Sequence, residues 1–155
     1  MRWLIPLAFG LWLVVPGARG DDWAQGLESY DGGDYSAALA AWRRAAASGN
    51  LEAVNAMAHA YRQGVGVSAD PARSAALYRT TAEQGNVVAQ LNLGDMMSRG
   101  VGVSKDAIGG YVWLGLAAEQ GNLWAARRQR EVARTMTEKQ IAIGDGRIRD
   151  WKPKP

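Results

Sequence analysis

The chain has 155 residues, 48% of them hydrophobic and 21% charged, a balance that fits a folded domain and excludes wholesale disorder. It contains no cysteine and a single histidine, which excludes disulfides, lipoprotein attachment, thiol catalysis and Cys-ligated metal sites. The formal charge of +3 hides a division: residues 21–122 carry 7 basic and 11 acidic side chains, and residues 123–155 carry 9 basic and 4 acidic.

In chain order, residues 1–20 come first and read as a leader. Arg2 gives a positive start, Leu4 to Val15 is an apolar run, and Ala18-Arg19-Gly20 offers small residues where a signal peptidase reads. The run is shorter than the ~20 residues that a spanning helix needs. Cleavage after Gly20 is expected, giving a periplasmic or secreted bacterial protein; an uncleaved inner-membrane anchor is the alternative. Nucleic acid is therefore set aside as a partner.

Residues 21–50 are expected to form a first helix pair. Trp23, Leu27 and Tyr30 share a face of a helix over about 22–31, Asp31-Gly32-Gly33 turns the chain, and Asp34 caps a second helix through Leu39 and Trp42. Residues 51–86 and 87–122 then align without a gap at a period of 36, with twelve identities. GVGVSAD at Gly64–Asp70 returns as GVGVSKD at Gly100–Asp106, and AEQGN closes both units at Asn86 and Asn122.

Each unit reads as two helices. Asn50 caps helix A, Val54, Met57, Ala58 and Tyr61 make its apolar face, and Gly64 stops it. Asp70 with Pro71 starts helix B, whose buried side is Ala75, Leu77, Tyr78 and Ala82. Leu93, Gly94, Met97, Asp106, Trp113 and Ala118 repeat the scheme. Gly109, Gly110 and Gly115 sit badly in a helix, and close backbone approach is the favoured explanation over a hinge. Residues 123–151 are expected to be C-terminal capping helices: Leu123–Arg134, then a helix opened by the capping-box spacing Thr137-Glu138-Lys139-Gln140. Gly144 and Gly146 should kink or fray it, and residues 152–155 should be a disordered tail.

These motifs resemble the Sel1-like repeat family. The matching residues are Leu93-Gly94, Gly64-Val65-Gly66-Val67 with Asp70, Gly100-Val101-Gly102-Val103 with Asp106, Trp113, and Ala117-Ala118 with Gly121. Tyr61 also fits, whereas Met97 replaces the family tyrosine. The first pair is similar to a tetratricopeptide unit. The resemblance implies an all-α fold, a right-handed α-solenoid of antiparallel helix pairs, and an adaptor's role in gathering protein partners.

Chemistry is harder to find. His59 is the sole base of the usual kind, no phosphate-cradling loop occurs, and the scattered carboxylates lack metal-site clustering. Some cysteine-rich relatives are described as β-lactamases, but this chain lacks their cysteines and any Ser-x-x-Lys motif. No cofactor and no enzyme activity are expected. The expected functional surface is the inner curve lined by the A helices: Glu52, Asn55, His59 and Arg62, then Leu91, Asp95 and Arg99, then Trp124, Arg127, Glu131 and Arg134. Such a mixed strip with a Trp and Arg anchor suits a protein or peptide segment. The alternative is peripheral docking on anionic lipid or cell wall through the basic C-terminal part. A monomer is the expected state.

Overall fold

The computed structural model describes residues 21–155, so the expected leader lies outside the described residues. Among them there are eight helices and no strand: α1 (Asp21–Asp31), α2 (Tyr35–Ala47), α3 (Leu51–Gln63), α4 (Pro71–Ala82), α5 (Val87–Arg99), α6 (Ala107–Glu119), α7 (Leu123–Ala133) and α8 (Glu138–Asp150). The pairs α1–α2, α3–α4 and α5–α6 pack as hairpins, and α2, α4 and α6 each pack on the helix that follows. This serial stacking is the α-solenoid that the 36-residue period predicts.

Local chemistry sets the helix ends. The side chains of Asn50, Asp70, Asn86, Asp106 and Asn122 each accept the backbone N–H three residues on, at 2.8–3.0 Å. Each such cap is worth about 1 kcal/mol. Gly64 and Gly100 end α3 and α5 in the left-handed region, both at φ 72°. The second loop glycine has a different task. A Cβ on Gly66 would stand 2.5 Å from the Tyr35 carbonyl oxygen, and one on Gly102 would stand 2.1 Å from that of Pro71. Each GVGV loop therefore rests on the first turn of the preceding B helix, and its bare backbone sets the distance between units.

The core runs through the stack as three clusters. Leu39, Trp42, Met57 and Tyr61 fill the first, Tyr78, Leu93 and Met96 the second, and Leu114, Ala117, Ala125 and Val132 the third. Trp42 is buried as expected, at 4% exposure, while Trp113 is half-buried. The α6 glycines permit close approach: α6 is continuous, and a Cβ on Gly110 would lie 2.9 Å from the Gly94 carbonyl oxygen. One period earlier, Ala58 and Ser74 occupy these positions, both fully buried.

The Ser74 hydroxyl has no hydrogen-bond partner. A buried hydroxyl without a partner keeps its desolvation cost and gains nothing in return. Ser74→Ala is accordingly expected to be neutral or up to about 1 kcal/mol stabilising, also because Ala is the better helix former. Thermal unfolding of the two proteins checks this.

The C-terminal part has three features, the last two against expectation. First, α8 packs on α6. In register, Arg130 of α7 stands where Ala58 and Gly94 let helix B come close, and its side chain is exposed. Second, α8 is unbroken through Gly144 and Gly146. Gly144 is buried under Tyr111, whose ring lies 2.6 Å from where a Cβ would be. The Tyr111 hydroxyl donates to Asp145 at 2.7 Å, and burial together with that bond pushes the phenol up to about 12. Third, the tail is seated. Trp151 meets Trp113 edge-on at 6.4 Å, and Lys154 donates its backbone N–H to the Glu83 carbonyl and its ammonium to the Glu83 carboxylate, both at 2.7 Å.

Candidate functional site

The A helices α1, α3, α5 and α7 carry the surface singled out by the sequence. An open depression of about 370 Å³ lies across the first three. Trp23 of α1, Glu52, Asn55, Ala56 and His59 of α3, and Val88 and Asn92 of α5 line it. Glu52 and His59 are thus brought together as expected. The His59 imidazole is held below its usual range by partial burial and by the nearby Arg62 cation, so it is neutral at pH 7. Val88 is 49% exposed and offers an unpaired apolar contact.

Other expected contact residues are spent within the protein. Asn55 is buried; its side-chain oxygen accepts from Thr81 at 2.6 Å, and its amide donates to Asn86 at 2.9 Å. It braces α3 against α4 and the Asn86 cap of α5, while its edge still lines the depression. Leu91 is half-buried against the third core cluster. Arg62 donates to Asn92 at 3.0 Å, tying α3 to α5. Asp95 accepts from Arg128 at 2.9 Å and from Arg99 at 3.4 Å, tying α5 to α7. Glu131 pairs with Arg127 at 3.3 Å and with Arg128, and these cations hold its carboxyl below the ordinary range.

A second depression, of about 500 Å³, lies on α7 alone. Leu123, Trp124, Ala126, Arg127 and Arg130 line it. Trp124 is 70% exposed and Leu123 82%, so Trp124 is not a core residue closing the stack. Arg134 is exposed at the end of α7. The strip expected from sequence is therefore two separate seats, with the Arg62–Asn92 and Arg128–Asp95 bonds between them. Trp23, Ala56, Asn92, Leu123 and Arg130 were not singled out. Ala56 has the helical spacing, one turn from Glu52 and His59, but Trp23 comes from a separate helix that only the stacking brings near.

Among the described residues, no group of three or more His, Asp or Glu is placed to hold a metal ion. No helix among them is long and apolar enough to cross a membrane. The arrangement offers apolar contacts rimmed by fixed polar groups, which is the chemistry of holding a polypeptide.

Residues 51–86 and 87–122 each match the Sel1 repeat. Among solved structures, the chain is similar to c5321, a protective antigen present in uropathogenic Escherichia coli strains and displaying an SLR fold, at 27% identity and a TM-score of 0.78 over 85% of this chain and 30% of that one. It is also similar to a Sel1 repeat protein from Oxalobacter formigenes, at 31% identity and a TM-score of 0.65 over 69% of this chain and 44% of that one. The chain thus spans less than half the length of either. No curated protein matches it. Its two matched units, stacked as helix pairs in an all-helical fold, are Sel1 repeats.

Proposed function

We propose that this protein is a non-catalytic adaptor that holds a segment of another protein along its A-helix face. The Sel1 repeat fold is commonly a protein-interaction scaffold. The main support within this chain is the depression bounded by Trp23, His59 and Val88: it is open, chiefly apolar, and spans three successive A helices. A helical or extended segment could lie across all three and draw on contacts from each. The leader pattern of residues 1–20 supports export, so the partner belongs to the bacterial envelope or the outside.

Site-specific photocrosslinking in cells tests this. A crosslinking side chain at His59 or Val88 is expected to capture a defined partner, whereas one at Lys139 on α8 should not. Val88→Asp is expected to weaken capture at least about ten-fold, the effect of losing an interface anchor. Equal capture from Lys139, or none from either groove position, would overturn the assignment.

A further inference from the structure

The solenoid ends on a surface made for stacking that has nothing stacked on it. In α3, Arg62 reaches forward to the next unit; in α5, Leu91 and Asp95 do the same. One period on, the corresponding residues of α7 are Arg127, Glu131 and Arg134. Among the described residues, no helix lies beyond them, because α8 has gone to α6. The contrast in burial is direct. Leu51 and Val87 are half-buried, and their counterpart Leu123 is 82% exposed, beside Trp124 at 70%.

The surface corresponding to this one on α3 is met by the pair α5–α6, and that on α5 by α7. The charge of the missing pair can be read from the rim. Arg127 and Arg130 are exposed beside Leu123 and Trp124, Arg134 is exposed at the far end of α7, and Glu131 between them is paired with Arg127 and Arg128; the surface stays net basic, so the complement is a helix that is acidic with an apolar centre. The opposite end of this same chain has one. Helix α1 contains no Lys or Arg, and Ala24, Leu27, Glu28 and Asp31 form an exposed strip along it at spacings of three and four, with Leu27 42% exposed. We infer that the open α7 end docks the N-terminal helix pair of a second copy, joining copies head to tail. The two surfaces differ, so the contact is heterologous and propagates as a ring or a short filament. It replaces the expected monomer with a reversible, salt-sensitive association, weak because one repeat-sized contact is small.

Sedimentation velocity tests this on the protein as the cell processes it, with its N-terminus read by mass spectrometry. Runs from about 10 µM to about 500 µM, in about 50 mM and about 500 mM salt, should show mass rising with concentration and falling with salt. Arg127→Glu with Arg130→Glu blocks the α7 end, and Glu28→Lys with Asp31→Lys blocks the α1 end. Each double variant alone should stay monomeric, and an equimolar mixture of the two should associate, because each end of one then meets an oppositely charged end of the other. A chain carrying all four reversals should associate again. Val88→Asp should leave association unchanged, which separates this contact from the groove. All substituted positions are exposed, and circular dichroism confirms folding. A wild-type monomer throughout, association indifferent to the reversals, or a mixture that does not associate would overturn the inference. Binding of anionic vesicles by a protein that stays monomeric would overturn it as well.

Discussion

Gly102→Ala is expected to destabilise the protein by about 3 kcal/mol or more, through two terms that add. The residue sits at φ 68°, where a Cβ costs about 1–2 kcal/mol. The larger part is steric. The new methyl would press on the Pro71 backbone, which cannot swing aside like the end of a side chain. Relief requires the two units to separate, opening the core between them. Gly121→Ala is the control, with φ 88° but no atom within 4 Å of its Cβ, and it should lose only the conformational part. Urea unfolding of both variants, compared at equal slope, separates the terms. Similar losses would mean that the loop does not set the spacing of the stack.

Leu114→Ala should cost about 3–4 kcal/mol, in the upper half of the range for buried leucines. Leu114 is fully buried and packs with Ala117, Ala125 and Val132, between the hairpin α5–α6 and α7. Its Cγ lies 2.8 Å from where a Cβ on Gly94 would stand. The cost of such a cavity depends on whether its walls can collapse. Here α5 and α6 already touch through Gly94 and Gly110, so the helices cannot close further and the void persists. Leu77→Ala, at a half-buried position, is expected to cost about 1–2 kcal/mol. A Leu114→Ala loss no greater than that of Leu77→Ala, measured by denaturant midpoint, would show that the site relaxes.

Much of this architecture was legible because its signals are local. Asn50, Asp70, Asn86, Asp106 and Asn122 announce helix starts by residue type, and Gly64 and Gly100 announce stops. Their recurrence at one period fixes how the pairs stack. The misreadings share a cause: each depends on a residue far along the chain. Gly144 breaks a helix or permits close approach depending on what faces it, and Tyr111 decides that from α6. Asn55 has the spacing of a groove residue, and Thr81 of α4 and Asn86 take up its amide. Helical periodicity assigns a face; it does not say which neighbour reaches that face. Of the residues expected on the inner curve, Glu52, Asn55, His59, Trp124 and Arg127 line open depressions, and Leu91 is drawn into the packing.

The Lys154–Glu83 contact joins residues 71 apart in a chain whose helices otherwise pack on near neighbours. A plain stack of units can peel from either end, because losing the last unit leaves the others undisturbed. Here the far end is buckled back to the middle, so α8 cannot lift away until the strap lets go. The buckle closes only when both parts are in place, and its energy therefore belongs to the finished molecule rather than to the barrier on the way in. Such a fastening slows escape without hastening arrival.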